Sequence, residues 1–223
     1  MATMTRDAID AIQTLVNAHL HALGRPAEVL EAGCGRFKHF DYPDDAVIAG
    51  LDISQEQLDL NDHVQERFLG DVQTWRTERQ WDATVSMYVL EHLDDPARTV
   101  SNMLDWTRPG GLVVIGVPNL WSLRGLVTKL TPFWFHELAY KLVYRRNVPP
   151  FPTTLKLDAT PGSLREQLAG CERVHEGWAQ ESIRMPYALV YEGLIWIGRI
   201  LSLGRWRPQD MNYYVVARKP EAA

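Results

Sequence analysis

The feature that most constrains the fold is an apolar run at 28–32 that leads into a turn containing Gly33 and Gly35. A second apolar run ends at Asp52, about twenty residues further on, which is the spacing of consecutive strands in a nucleotide-binding unit. In an open α/β sheet, turn glycines let a ligand approach the backbone, and the second acid binds the ribose hydroxyls. The spacing therefore predicts a nucleoside-binding site.

The glycine spacing also bears on which nucleoside cofactor this site takes. A dinucleotide fingerprint needs a third glycine, but Lys38 stands at that position. S-adenosylmethionine has no phosphates and needs no phosphate-binding helix N-terminus. It needs an acid near its ammonium group, and Glu31 lies directly before the turn. The turn therefore fits S-adenosylmethionine better than a dinucleotide, and the rest of the chain must decide between the two.

Length and composition favour one domain, 1–223, with one sizeable core. A net charge of −5 argues against bulk nucleic-acid binding. Two cysteines favour a reducing compartment over a disulfide framework. The chain shows neither a signal-peptide pattern nor an uncharged run of about 18 residues, so we expect a cytoplasmic protein without a spanning segment. Its histidines lack metal-ligand spacing, and we expect no metal.

Hydrophobic periodicity predicts alternating strands and helices, which is typical of a Rossmann-like, doubly wound, mostly parallel sheet. We predict a helix over 8–23, short helices from Ser54 and Asp95, a further helix within 158–177, and a turn at 109–111. The predicted strands are 28–32, 46–52, 81–88, 112–119, 174–182 and 211–218, and 68–72 is either a short third strand or the end of one. The last strand is expected to be antiparallel, and a helical, aromatic and basic lid completes the predicted α/β fold.

Over residues 28–119 the chain resembles the class I S-adenosylmethionine-dependent methyltransferases, and in particular the type 11 methyltransferases. The similar segments are Leu30–Gly35, Leu51–Ser54, Gly70–Val72, Tyr88–Leu93 with Asp95-Pro96, and Pro109–Gly111. The chain departs from the family after Gly35, where 36–45 leaves room only for a short or distorted helix.

The resemblance implies a cofactor-binding core at 26–119, with S-adenosyl-L-methionine as cofactor and S-adenosyl-L-homocysteine as product. The implied cofactor-binding residues are Glu31, Gly33, Cys34, Gly35, Asp52, Ile53, Gln57, Asp71, Val72, Met87, Tyr88 and His92. We interpret Cys34 as a small packing residue rather than a nucleophile, because no neighbour in sequence would lower the pKa of its thiol.

A lid is predicted at about 120–157, where six basic residues accompany one acid, Glu137, among several aromatic residues. Such a segment either binds an anionic acceptor or presents a solvated basic face. His136 is the candidate general base and His92 a second catalytic candidate; each could instead be a packed or pocket-wall residue. The candidate acceptor-binding residues are Tyr88, Asn119, Trp121, Trp134, His136, Tyr140, Arg145 and Arg146.

An apolar helical insertion is predicted at about 186–207, with only a thin polar stripe that includes Glu192 and Arg199. Its apolar faces fit a core, a homodimer interface or peripheral contact with lipid, and self-association is our leading expectation beyond the core.

The predicted function is methyl transfer to a small-molecule acceptor in natural-product or polar-metabolite biosynthesis, at oxygen before nitrogen. A nicotinamide-dependent oxidoreductase and a non-catalytic nucleoside-binding protein are the alternatives.

Overall fold

A computed structural model describes residues 6–123, 125–126, 157–180, 188–207 and 210–221. Within these ranges the helices are α1 (Arg6–Ala22), α2 (Gln55–Asp59), α3 (Pro96–Trp106), α4 (Pro161–Gln167) and α5 (Ala188–Leu201). The strands are β1 (Glu28–Ala32), β2 (Val47–Asp52), β3 (Glu66–Leu69), β4 (Trp81–Met87), β5 (Thr107–Pro118), β6 (Glu172–Gln180) and β7 (Asp210–Arg218).

The strands form one seven-stranded sheet in the order β3-β2-β1-β4-β5-β7-β6. Strands β1 to β5 are mutually parallel, whereas β7 is antiparallel to β5 and to β6. The predicted Rossmann-like, mostly parallel sheet is thereby confirmed. In such a sheet the carboxyl ends of β1, β2, β4 and β5 meet at one edge, which is where ligands bind.

Two hydrophobic cores cover the two faces of the sheet. On one face, α1 buries Ile12, Val16 and Leu20 against the strands, at the helical spacing that the sequence shows. On the other, α3 and α4 bury residues such as Met103 and Leu164. The sheet is therefore covered on both sides, which is why its central strands β1, β2 and β4 are buried along nearly their whole length.

The predicted helix starts are confirmed by their caps. The Ser54 hydroxyl accepts from the Gln57 amide at 3.3 Å, and the Asp95 carboxylate accepts from the Arg98 amide at 2.9 Å. Pro96 occupies the first turn of α3, where its missing N–H costs no hydrogen bond.

Residues 109–111 do not form the turn that we predicted before the fifth strand. They lie inside β5 as a bulge, because Trp81 pairs with Thr107 while Ala83 pairs with Leu112. Gly110, with φ +76, donates its amide to Lys219 O at 3.0 Å. The bulge is thus held by the chain beyond β7, a partner that the local Pro-Gly-Gly pattern does not show.

The segment 68–72 contains the end of the third strand, which is the second of our two alternatives, since β3 spans Glu66–Leu69. Gly70 follows, and the Thr74 and Trp75 amides both donate to the carbonyl of Asp71, so the chain turns there. Asp71 therefore stands beyond the strand rather than within it.

The chain departs from the family pattern after Gly35, as predicted, but the short or distorted helix that we expected there is wrong, because the segment between β1 and β2 contains no helix. It is instead fastened to α1. The Gln13 side chain accepts from the Asp41 amide at 2.9 Å, and Asn17 Nδ2 donates to Asp41 O at 2.9 Å. Phe40 is buried in the core on that face.

The exposure of helix α5 bears on the three environments that we considered for it, namely a core, a dimer interface and lipid. In its described part Ile195 is buried, but Trp196 is 67% exposed and Leu201 is 80% exposed. A fully buried core helix is therefore wrong, while dimerisation and lipid contact stay predictions. No described helix is both long enough and apolar enough to span a bilayer.

Candidate functional site

The glycine turn after β1 is tied to two neighbouring strands. The Gly33 and Cys34 amides both donate to Leu51 O at the end of β2, at 2.7 and 3.2 Å. Gly33 has φ +74, and a Cβ at this position would overlap the side chain of Val89, which follows β4. Only glycine fits that conformation and that contact without strain, so the turn keeps bare backbone at the sheet edge.

Asp52 closes this turn from β2. Its Oδ2 accepts from the Gly35 amide at 2.8 Å, and its Oδ1 accepts from the Ser54 amide at 2.9 Å. Asn61 Nδ2 also donates to Gly35 O at 2.9 Å. Each carboxylate oxygen retains further acceptor capacity, so the held carboxylate is ready to accept from the two hydroxyls of a ribose.

Glu31 provides a second, buried carboxylate at the end of β1. It is 1% exposed, and its Oε1 accepts from the Tyr42 hydroxyl at 2.9 Å and lies 3.8 Å from His63 Nε2. Its Oε2 has no hydrogen-bond partner among the described residues. Burial raises the pKa of Glu31 to about 7, against the lowering effects of the Tyr42 hydrogen bond and of Lys38. A carboxylate so placed would gain from a cationic ligand.

Tyr42 and His63 are site residues that sequence reasoning missed. Their rings stack at a centroid distance of 5.7 Å and an interplanar angle of 14°. Tyr42 reaches Glu31 because the 36–46 segment folds back as a loop, and no periodic pattern in that segment signals such a contact. His63 follows α2, and its pKa is lowered mainly by burial, then by Lys38.

The predicted adenine-side residues lie further along the same edge. Asp71 accepts from the Gln73 amide at 2.8 Å. Val72 is buried, and Ile53 is 73% exposed, directly after Asp52. A Cβ on Gly35 would lie 3.9 Å from Gln57 Oε1, so Gln57 stands beside the glycine turn. An exposed apolar side chain next to the predicted ribose-binding acid suits the face of an adenine ring.

The end of β4 adds the predicted residues Met87, Tyr88 and His92. Met87 is buried, and Tyr88 has φ +60 with its amide donating to Gly116 O at 2.8 Å. Such a φ is strained for a bulky residue and occurs where a site needs a sharp exit from a strand. His92 Nε2 lies 3.9 Å from Glu91 Oε1. Glu91 is buried, and burial raises its pKa to about 8.

The predicted acceptor residues Asn119 and Trp121 follow β5. Asn119 Nδ2 donates to Asp210 O at 2.7 Å, and its Oδ1 accepts from the Trp121 amide at 3.0 Å. The Asn119 amide therefore joins the end of β5 to the start of β7. Next to it lies a cleft of about 510 Å³, lined by Asn119, Trp121, Thr160, Pro161, Gly162, Arg165, Trp178, Arg205, Trp206, Arg207 and Asp210.

The remaining lid predictions, Trp134, His136, Tyr140, Arg145 and Arg146, lie outside the described residues, so their roles stay predictions. Cys34 is 2% exposed, and its pKa is raised to about 12, mainly by burial and then by Asp52 and Glu31. A thiol so far from its thiolate form is a poor nucleophile at neutral pH, in agreement with a packing role.

Together these features define a Rossmann-like protein that binds a nucleoside cofactor without a pyrophosphate. The two acids at the ends of β1 and β2 match the ammonium and ribose groups of S-adenosylmethionine. Residues 33–46 contain no helix, so this turn offers no helix N-terminus for a dinucleotide's pyrophosphate. The residues present therefore fit S-adenosylmethionine.

The family follows from comparison with known proteins. Residues 3–216 match a family model described as a methyltransferase domain, and the chain belongs to that family. A tRNA (carboxymethyluridine(34)-5-O)-methyltransferase from Arabidopsis thaliana is 32% identical over 126 residues, which cover 52% of this chain and 30% of that protein. A malonyl-[acyl-carrier protein] O-methyltransferase from Halalkalibacterium halodurans is 27% identical over 120 residues, which cover 46% of this chain and 43% of that protein. The chain thus spans less than half the length of these relatives.

Solved structures agree on the fold. The [4+2]-cyclase SpnF superposes with a TM-score of 0.58 at 19% identity, covering 99% of this chain and 84% of that chain. An S-adenosylmethionine-dependent methyltransferase from Archaeoglobus fulgidus superposes with a TM-score of 0.55 at 18% identity, covering 93% of this chain and 94% of that chain. Because such a fold carries several activities, the reaction must be argued from the site.

Proposed function

We propose that this chain transfers a methyl group from S-adenosylmethionine to an oxygen atom of a small, polar acceptor. One observation carries the proposal. Asp52 is held by two backbone amides beside Glu31, whose buried Oε2 has no partner among the described residues. This pair is suited to a ligand that carries both a ribose diol and an ammonium group.

The cofactor supplies an electrophilic methyl group on a sulfonium. In this proposal Asp52 accepts from the ribose hydroxyls and Glu31 faces the ammonium. Asp71 accepts from the adenine amino group and Ile53 covers the ring. The turn at Gly33 keeps the backbone close to the ligand. Orientation of acceptor and donor supplies much of the catalysis, because methyl transfer needs an in-line approach.

Two observations support an oxygen acceptor with an anionic group. Both relatives described above carry the methylated oxygen in their names. The cleft beside Asn119 is lined by Arg165 and by the tryptophans Trp121, Trp178 and Trp206. Arginine binds planar carboxylates and phosphates well, and apolar walls hold the rest of a small acceptor. In this proposal Arg145 and Arg146 add positive charge that binds the anionic group of the acceptor.

The oxidoreductase alternative is disfavoured by the absence of a helix between β1 and β2. A nicotinamide dinucleotide would leave its pyrophosphate without the helix N-terminus on which such sites depend. A non-catalytic nucleoside-binding protein would bind S-adenosylhomocysteine but turn over no acceptor.

The test is a methyl-transfer screen by mass spectrometry with S-adenosylmethionine and a panel of carboxylic acids, phenols and amines. We expect mass gain of one methyl group on an oxygen acceptor. Methylation of amines alone would contradict the choice of oxygen, and binding without turnover on any acceptor would favour the non-catalytic alternative.

The general base is tested separately once an acceptor is known. His136→Ala should lower kcat and flatten its pH dependence near neutrality, with an unchanged affinity for S-adenosylhomocysteine. If His92→Ala alone has that effect, the base is the histidine after β4. If neither variant changes kcat, the reaction proceeds by positioning without a histidine base.

A further inference from the structure

Helix α5 presents an unusually apolar surface to solvent. Six side chains of the helix and its following turn are between 48% and 86% exposed: Leu194, Trp196, Ile197, Ile200, Leu201 and Leu203. The first five recur at spacings of three, four and seven residues, so they share one continuous face about 160° wide at roughly 100° per residue. Exposed apolar faces of this kind mark interaction surfaces.

The orientation of this face is set by contacts on the opposite side of the helix. Gly198 is packed under the Trp206 ring so tightly that a Cβ at this position would overlap it. Trp206 Nε1 donates to Trp121 O at 2.6 Å, directly after β5. The side of the helix that carries Gly198 is therefore attached to the carboxyl edge of the sheet through Trp206. The apolar face points away from the sheet.

The turn after α5 carries the most exposed apolar side chain of this surface. Leu203, which is 86% exposed, has φ +52, and Gly204 has φ +77. The Gly204 amide donates to Arg199 O at 2.7 Å, and the Trp206 amide donates to Ser202 Oγ at 3.0 Å. A leucine in a left-handed conformation is strained, so the turn holds its apolar tip outward at a cost in conformational energy.

Charge identifies the partner of this surface. The described residues from 192 to 207 contain Arg199, Arg205 and Arg207 against the single acid Glu192, in a chain whose net charge is −5. A two-fold contact between copies would set this patch against itself and leave a surplus of positive charge at the interface. An anionic lipid surface neutralises the arginines and receives the leucines and the tryptophan.

We propose that α5 and its turn form a peripheral docking surface for an anionic lipid bilayer. The helix has 14 residues, so it is about 21 Å long and too short to cross a hydrocarbon core of about 30 Å. It lies in the plane of the headgroups, with Leu201 and Leu203 in the acyl boundary and Arg205 and Arg207 on the phosphates. Binding of lipid to this surface requires neither cofactor nor acceptor.

Vesicle co-sedimentation of the whole chain tests the proposal. Wild type should bind vesicles of phosphatidylcholine mixed with phosphatidylglycerol and should bind pure phosphatidylcholine much more weakly, with salt reducing the difference. Leu201→Glu with Leu203→Glu should reduce the partition coefficient by about tenfold or more. The control Leu60→Glu changes a leucine that is 51% exposed at the end of α2, and this variant should bind as wild type.

S-adenosylhomocysteine titration of the double glutamate variant should match wild type and so verify its fold. No binding of wild type to anionic vesicles at low salt would overturn the proposal. So would a concentration-dependent dimer in sedimentation that the double variant abolishes without any vesicle binding by wild type. Loss of binding in Arg205→Gln with Arg207→Gln, but not in the double glutamate variant, would reduce the contact to charge alone and also overturn it.

Discussion

Asp52 is the residue on which the cofactor assignment depends most directly. Its carboxylate is held by the Gly35 and Ser54 amides, so the proposed ribose binding would require no reorganisation of this side chain. Asp52→Ala should weaken S-adenosylhomocysteine binding by about 1.5–3 kcal/mol, or roughly 10- to 150-fold, measured by calorimetry.

The matched control for this variant is Asp62→Ala, an exposed acid in the same region of the chain. It should bind as wild type. Asp52→Asn retains the shape of the side chain but not its charge. Its affinity for S-adenosylhomocysteine should lie between those of wild type and Asp52→Ala. Equal affinity of Asp52→Ala and wild type, with circular dichroism unchanged, would remove the ribose assignment.

If Glu31 faces the ammonium group as proposed, cofactor binding should depend on pH. Its pKa is raised to about 7 by burial in the free protein, and a neighbouring ammonium would lower that pKa, so binding releases a proton below pH 7. Affinity for S-adenosylhomocysteine should therefore fall as pH drops through 7, by up to about tenfold per pH unit.

Glu31→Gln should bind more weakly at pH 8 and should lose this pH dependence. Tyr42→Phe removes a hydrogen bond that lowers the pKa of Glu31, so the fall in affinity should begin at a higher pH. A wild-type affinity that is flat from about pH 5 to 8 would contradict the coupling.

At this scale the acids at the strand ends could be predicted from sequence, because Glu31 and Asp52 close apolar runs of strand length. The partners of Glu31 could not. Tyr42 and His63 reach it through loops, whose course depends on tertiary packing rather than on local pattern. The partners of Asn119 could not be predicted either. Its side-chain amide joins the end of β5 to the start of β7, and this contact is between residues 91 positions apart in sequence.

At the scale of elements, the amino edge of the sheet is held together by an ion cluster. Asp82 in β4 is 3% exposed and binds Arg25 at 2.6 Å and Arg108 at 2.8 Å. It also accepts from the Glu28 amide at 2.8 Å. Burial alone would raise the pKa of Asp82, but Arg25, the Glu28 amide and Arg108 outweigh it and lower the pKa.

Asp82→Ala should therefore lower the free energy of unfolding by about 1–3 kcal/mol in urea titrations, because it removes the charged hydrogen bonds to the partly exposed Arg25 and Arg108 and leaves the Glu28 amide without this acceptor. The lowered pKa means that this contribution is present above pH 3.8, the ordinary value, and is lost as pH falls through the folded-state pKa. The difference between wild type and Asp82→Ala should thus shrink in acid. The exposed Asp45→Ala is the control, and an equal loss there would contradict the role of the cluster.

Element types were predictable where periodicity was long and caps were present, as in α1 and α3. The bulge at 109–111 was not predictable, because Pro-Gly-Gly is a turn pattern and only pairing with the residues after β7 keeps it in a strand. Sequence also showed that α5 is apolar, but whether that face is buried depends on the surrounding chain. Local pattern specifies the composition of a face and tertiary contact specifies its environment.

At the scale of the whole molecule, one sheet separates two cores and carries the cofactor acids at a single edge. Residues from β1, β2, the segment after β3 and the end of β4 lie there, so the cofactor of the proposed site would contact elements that span 31–92 in sequence. A ligand that bridges these elements stabilises the folded state and has no comparable site in the unfolded chain. Thermal unfolding therefore reports on the identity of the cofactor as well as on its affinity.

S-adenosylhomocysteine at a hundredfold excess over its Kd should stabilise the fold by about 2.7 kcal/mol and raise Tm by about 5–10 °C, measured by differential scanning fluorimetry. NADH should leave Tm unchanged, because its pyrophosphate finds no helix N-terminus after β1. Adenosine should give a smaller shift, since it reaches Asp52 but lacks the ammonium that Glu31 would bind. A larger shift with NADH than with S-adenosylhomocysteine would reverse the choice of cofactor and favour the oxidoreductase, whereas equal shifts with adenosine and S-adenosylhomocysteine would remove Glu31 from the site.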